Sequence, residues 1–133
     1  MKKLFMPLFF ALVILGGVSF ASAQNMSHTV VEKQVKFARG KNKATLSGSA
    51  KYAMSYVYTL RAKEGQTMEI VLSGNNPELT FSLILPDEET DENGFGVTDW
   101  TGELPQTGDY KIVVVMNDEN SGAVPFKLEV KIN

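Results

Sequence analysis

The chain has 133 residues, a formal net charge of −2 at neutral pH and no cysteine. This mild acidity argues against nucleic acid or an anionic membrane as the partner, because both attract basic surfaces. The lack of cysteine excludes disulfide bonds and lipid attachment through a thiol, so packing and sheet hydrogen bonds alone must stabilise the fold.

The first 23 residues have the pattern of a secretory signal peptide. Two lysines precede an apolar run over residues 4–20, and Ala21-Ser22-Ala23 is a small-x-small cleavage site. A membrane anchor is the alternative, but the run is short and lacks a stop-transfer flank, so no membrane span is expected after cleavage. We therefore predict a periplasmic or secreted protein. Cleavage before Gln24 leaves 11 basic against 15 acidic residues, a net charge of −4 that permits a basic partner.

Residues 24–30 are polar, carry the only histidine, His28, and are predicted to form a flexible tail. Residues 31–133 are expected to form one domain, in which apolar and polar residues alternate as they do in half-buried strands. Strands are predicted at residues 31–37, 44–50, 56–62, 68–72, 79–85, 100–101, 110–116 and 124–132. Seven or eight strands without an amphipathic helix predict an all-β fold, an antiparallel β-sandwich.

The segment 104–116 is predicted to contain the central strand. Its apolar residues occupy both faces of the strand, as expected where a sheet is covered on both sides. The hydroxyl of Tyr110 is expected to tie the preceding turn to this strand, as in a tyrosine corner. Trp100, in the short preceding strand, is expected to lie in the core.

The sequence gives little support for catalysis. It has no cysteine, and its single histidine lies in the predicted tail, so the bases that activate nucleophiles are missing. Nothing in the pattern sets two carboxylates across a cleft, as a glycosidase needs. The chain is therefore not expected to be an enzyme.

The acidic segment 87–99 suggests a calcium site as one interpretation. Glu89, Asp91 and Asn93 place oxygen-bearing side chains at alternate positions before a glycine, as calcium loops do. However, Trp100 occupies the position at which a bidentate glutamate closes an EF-hand loop. A solvated, mobile loop without cofactor is favoured over calcium, and a calcium ion shared with Asp118 and Glu119 is a further alternative.

Four pieces of the sequence resemble a known fold family. They read F-A-R-G-K-N-K-A-T-L-S-G-S from Phe37, Y-T-L-R-A-K-E-G-Q-T-M from Tyr58, W-T-G-E-L-P-Q-T-G-D-Y from Trp100, and the closing F-K-L-E-V-K-I. This series resembles the bacterial pre-peptidase C-terminal domain and the related periplasmic inhibitors of g-type lysozyme. The resemblance implies a β-sandwich and, for the inhibitors, a lysozyme as protein partner.

The resemblance also implies a binding site on two loops. In the inhibitors, a loop after the strand that contains Ser-Gly and the loop before the last strand plug the lysozyme cleft. These correspond to residues 52–56, with Tyr52, Met54 and Tyr56, and to residues 117–122. The second loop departs from the inhibitors, because it carries Asp118 and Glu119 where they carry arginines.

Two other interpretations remain open at this point. The Tyr52, Met54 and Tyr56 series also fits one face of a strand that its neighbours partly cover, which would make it structural. The domain as a whole also fits a stabilising module without a defined ligand, or a calcium-dependent binding module.

Overall fold

The computed structural model describes residues 28–133, and the predicted signal peptide (residues 1–23) lies outside the described residues. The described part consists of eight strands joined by turns and loops, and it contains no helix able to cross a membrane. The strands are β1 (Thr29–Gln34), β2 (Lys43–Ala50), β3 (Met54–Ala62), β4 (Thr67–Ser73), β5 (Leu79–Ile84), β6 (Asp99–Glu103), β7 (Gly108–Met116) and β8 (Val124–Ile132).

The strands form two four-stranded sheets, which confirms the predicted all-β sandwich. One sheet has the strand order β1-β3-β7-β5, and the other has the order β2-β8-β4-β6. Every pair of neighbouring strands is antiparallel except β1 and β3, which run parallel. As predicted, β7 is central in its sheet, because it pairs with β3 on one side and with β5 on the other.

The core lies between the two sheets and is built from alternate residues of each strand. In β8, four apolar side chains are buried while Lys127 faces solvent. In β7 the inward residues are fully buried, whereas Val113 and Val115 on the outer face are only half-buried. Burying one large aliphatic side chain stabilises the fold by about 1.5–3 kcal/mol, so the inner faces supply most of the driving force. Trp100 is buried in this core, as predicted.

The first strand differs from the prediction in its bounds. It begins at Thr29, inside the segment 24–30 assigned to a tail, and it ends at Gln34 rather than at residue 37. Val35 is nevertheless buried, and its backbone N–H donates to the carbonyl oxygen of Thr59 at 2.9 Å. β1 is an edge strand whose side chains are mostly exposed. Its sequence therefore shows little alternation between buried and exposed positions, and the ends of the strand are hard to predict.

The acidic segment between β5 and β6 is hydrogen-bonded along β5, in contrast to the expected mobile loop. The backbone N–H of Leu83 donates to Gly94 at 2.7 Å, and Phe81 and Val97 exchange two backbone hydrogen bonds of 2.8 and 2.9 Å. These bonds satisfy backbone groups on the side of β5 that faces away from β7. The segment therefore covers what would otherwise be an open sheet edge.

A tyrosine corner leads into β7, as predicted. The Tyr110 hydroxyl donates to the carbonyl oxygen of Gln106 at 2.6 Å and accepts from the Gln106 N–H at 3.1 Å. The pKa of Tyr110 is raised, mainly by burial and to a smaller extent by the charges of Glu64 and Asp87. The hydrogen bond to the Gln106 backbone partly opposes this increase. Gly108, in the same turn, has a φ of +153°, and a Cβ there would lie 2.8 Å from the Cβ of Pro86.

We expect Gly108→Ala to destabilise the domain by about 3 kcal/mol, because the added methyl group meets both an unfavourable backbone conformation and Pro86. Urea unfolding measures this difference. Gly122→Ala is the matched control, since a Cβ at Gly122 would meet nothing within 4 Å. Equal stability of the two variants would contradict the role assigned to Gly108.

Tyr58 is a buried tyrosine whose hydroxyl has no hydrogen-bond partner within residues 28–133. Its ring lies in an aromatic cluster, with centroids 6.4 Å from both Tyr56 and Phe126. Burial, and secondarily the nearby Tyr56, raises the pKa of Tyr58 to about 12. The folded state therefore retains the phenolic proton at a pH at which the unfolded chain releases it, and stability falls as the pH rises from 10 towards 12.

We expect Tyr58→Phe to stabilise the domain by about 1 kcal/mol at neutral pH, because it removes an unpaired buried hydroxyl. The variant should also lose less stability than the wild type when the pH is raised through the range 10–12. Urea unfolding at several alkaline pH values measures both effects. An unchanged alkaline loss of stability in the variant would show that Tyr58 does not cause it.

Candidate functional site

The pairing of β3 with β7 brings the two predicted loops together at one end of the sandwich. Ser55 lies opposite Val115, so the start of β3 lies beside the end of β7. Tyr52 forms an isolated bridge with Met116, the last residue of β7. The segments 52–56 and 117–122 are therefore neighbours, although about 60 residues separate them along the chain.

The turn that presents Tyr52 has a strained backbone. The N–H of Met54 donates to the carbonyl oxygen of Lys51 at 3.2 Å, which closes the turn, and Ala53 within it has a φ of +68°. The carbonyl oxygen of Ala53 also accepts a hydrogen bond from Thr29 at 3.0 Å. These contacts hold a non-glycine residue in the left-handed region, which costs about 1–2 kcal/mol. They leave the side chain of Tyr52 50% exposed.

Met54 and Tyr56, the other two residues predicted to contact a partner on this loop, are placed differently from Tyr52. The hydroxyl of Tyr56 donates to the carbonyl oxygen of Ser49 at 2.6 Å, and its ring packs edge-on against Phe126 with centroids 5.3 Å apart. Met54 is half-buried. Tyr56 therefore ties β3 to β2 and the core, whereas the ring of Tyr52 remains half-exposed.

The loop before β8 is organised by Asp118. One carboxylate oxygen of Asp118 accepts the N–H of Asn120 at 3.0 Å, and the other accepts the side-chain amide of Asn76 at 3.4 Å. The N–H of Asn117 donates to the carbonyl oxygen of Glu78 at 3.1 Å, which attaches the loop to the start of β5. Glu119 is exposed. Asp118 thus stabilises the turn, and Glu119 projects from it.

Two adjoining clefts lie between these loops. The larger, of about 480 Å³, is lined by Tyr52, Glu78 and the residues 117–120. The smaller, of about 230 Å³, is lined by His28, Tyr52, Ala53, Met54, Val115, Met116 and Asn117. Tyr52 and Asn117 line both clefts. Asn117 belongs to the predicted loop 117–122, but sequence reasoning missed Glu78, because only the folded sheets bring the start of β5 next to the end of β7.

His28 is connected to β3 through its side chain. Its Nε2 lies 2.6 Å from the hydroxyl oxygen of Ser55, which is buried. No sequence pattern connects these two residues, because 27 positions separate them along the chain and only the parallel pairing of β1 with β3 brings them together.

The predicted calcium residues lie on the segment that covers β5. One carboxylate oxygen of Asp91 accepts the N–H of Asn93 at 2.9 Å and the indole N–H of Trp100 at 3.2 Å. Glu89 and Asn93 are exposed. Among residues 28–133, no group of three or more acidic, histidine or cysteine side chains is arranged to hold a metal ion. Calcium binding at Glu89, Asp91 and Asn93 stays a prediction.

Solved structures with the same architecture identify the relatives of this chain. Aeromonas hydrophila PliG, a periplasmic inhibitor of g-type lysozyme, superposes with a TM-score of 0.65 and is 30% identical over 79% of this chain and 98% of its own. The chain belongs to the PliG family. Salmonella Typhimurium PliG superposes with a TM-score of 0.61 at 24% identity, over 77% of this chain and 98% of its own.

The fold is also shared beyond the PliG family. The pre-peptidase C-terminal domain of a Bacillus anthracis collagenase superposes with a TM-score of 0.56 at 16% identity, covering 81% of this chain and all of that domain. No protein-family model and no curated protein matched the sequence. The predicted family resemblance is confirmed. The PliG structures are of lysozyme inhibitors, which supports the expectation that this chain is not an enzyme.

We expect alanine substitutions of Tyr52 and Tyr56 to differ in their effect on stability. Tyr56→Ala should destabilise the domain by about 3 kcal/mol, because it removes packing against Phe126 and the hydrogen bond to Ser49. Tyr52→Ala should change the free energy of unfolding by less than about 0.5 kcal/mol, because the ring is half-exposed. Chemical denaturation of both variants measures the difference. A large loss of stability in Tyr52→Ala would show that this ring is structural.

Proposed function

We propose that this protein is exported to the periplasm and inhibits a g-type lysozyme. The observation that carries the proposal is the 30% identity with Aeromonas hydrophila PliG over 98% of that inhibitor. The signal-peptide pattern of residues 1–23 supports export.

We propose further that the loops at residues 52–56 and 117–122 contact the enzyme and enter its cleft. They lie side by side at one end of the sandwich, and both are attached to the sheets by backbone hydrogen bonds. A loop that is ordered before binding loses little conformational entropy on association. Exposed tyrosine side chains are common binding hot spots, which makes Tyr52 the first residue to test.

The two loops contribute different chemistry to this proposed contact. The loop at 117–122 carries Asp118 and Glu119, and the carboxylate of Asp118 is already hydrogen-bonded to Asn76 and Asn120. This loop contains no arginine that could pair with the carboxylates of a glycosidase cleft. The aromatic ring of Tyr52 makes the principal contact in this proposal, and the second loop supports it.

We expect the exported protein to inhibit the release of cell-wall fragments by a g-type lysozyme, and Tyr52→Ala to weaken inhibition at least about tenfold. Turbidity of a cell-wall suspension, followed at increasing inhibitor concentration, measures both.

Phe95→Ala is the matched control for this assay, because Phe95 is an exposed aromatic residue outside the site, with 72% of its surface accessible. It lies beside Gly94, which is hydrogen-bonded to Leu83 in the middle of the sheet rather than at its end. This control should inhibit like the wild type. Undiminished cell-wall lysis at a large molar excess of the wild-type protein would refute the proposed function.

A further inference from the structure

The larger cleft at the candidate site combines an exposed aromatic ring with uncompensated negative charge. Its lining includes Tyr52 and three acidic residues, Glu78, Asp118 and Glu119, together with Asn117 and Asn120. Among residues 28–133, no lysine or arginine lines this cleft. Lys51, although adjacent to Tyr52 in sequence, is exposed and does not line it.

Four carboxylates elsewhere on the sandwich are paired with a base on a neighbouring strand or segment. These pairs are Lys43–Glu129, Arg61–Asp109, Lys111–Glu88 and Lys131–Glu69, with N–O distances of 2.7–4.0 Å. Within residues 28–133, the carboxylates of Glu78 and Glu119 make neither an ion pair nor a hydrogen bond. Asp118 is oriented by Asn76 and Asn120 and adds a fixed charge beside them.

We propose that this cleft binds a basic side chain, an arginine or a lysine, on the surface of the protein partner. The cation would lie against the ring of Tyr52 and pair with the carboxylates of Glu78 and Glu119. Cation–π contact and charge-assisted hydrogen bonds both favour this combination. This proposal rests on the proposed function. It names a basic residue of the enzyme, distinct from the carboxylates in the enzyme's cleft, as a group that the inhibitor recognises.

Charge complementarity decides between the candidate occupants of the cleft. A neutral glycan could stack on Tyr52, but it would leave the negative charges of Glu78 and Glu119 unpaired beside it. A divalent metal ion needs several carboxylates converging on one point, and residues 28–133 contain no such group. A basic side chain both neutralises the charge and covers the ring.

The first test compares two double variants with equal changes in net charge. Glu78→Gln/Glu119→Gln should weaken binding to a g-type lysozyme at least about tenfold and flatten its dependence on salt concentration. Glu64→Gln/Glu103→Gln, at the opposite end of the sandwich, is the control and should retain nearly wild-type affinity and salt dependence. Melting temperatures within about 2 °C of the wild type would show that all the proteins are folded. Equal affinities for the two double variants would overturn the proposal.

The second test does not depend on lysozyme. Isotopically labelled protein is titrated with N-acetyl-arginine amide at millimolar concentrations, and amide chemical shifts are followed by NMR. We expect saturable shifts at Tyr52, Asn117 and Glu119, which Glu78→Gln/Glu119→Gln abolishes. The neutral isostere N-acetyl-citrulline amide should cause none.

The two tests separate failure of the inference from failure of the proposed function. Shifts with the arginine probe, in a protein that does not bind lysozyme, would refute lysozyme as partner and retain the cation-binding cleft. Equal shifts with citrulline, shifts only with a chitooligosaccharide, or no shifts at all would overturn the cleft's assignment. Inhibition that survives such a result would leave the proposed function intact.

Discussion

The antiparallel pairing of β3 with β7 positions both the core and the candidate site. It places the central strand of one sheet, directs the inner residues of both strands into the core, and sets the start of β3 beside the end of β7. A shift of one residue in this register would turn the inner side chains of β3 towards solvent. The same shift would separate Tyr52 from Met116, so core and candidate site depend on one register.

The tyrosines and acids of this chain divide into those that hydrogen-bond within the fold and those whose side chains remain at the surface. Tyr110 and Tyr56 use their hydroxyl groups to join a turn or a neighbouring strand to the sheet, whereas Tyr52 keeps its ring at the surface. Asp91 similarly accepts hydrogen bonds within its own segment, whereas Glu119 is exposed. Residue type alone does not distinguish these roles; the hydrogen-bond partners do.

The relation between fold and function is clearest in the loop before β8. The sandwich is shared with PliG inhibitors and with a collagenase's pre-peptidase C-terminal domain, so the scaffold itself does not determine a partner. What distinguishes one protein from another is the chemistry of the loops at its ends. In this chain the loops place Tyr52 beside Glu78 and Glu119, whose carboxylates form no ion pair within residues 28–133. This is the chemistry from which we propose a partner of the opposite charge.

The sandwich, the central position of β7, the tyrosine corner and the burial of Trp100 were all predictable from the amino-acid sequence. Each follows from local information, namely a period of two, turn residues at regular intervals, or a tyrosine beside a glycine-containing turn. The parallel pairing of β1, the attachment of the acidic segment to β5 and the proximity of Tyr52 to Glu78 became visible only in the folded protein. These depend on contacts between residues distant in the chain, and such contacts leave no periodic signal in the sequence around either partner.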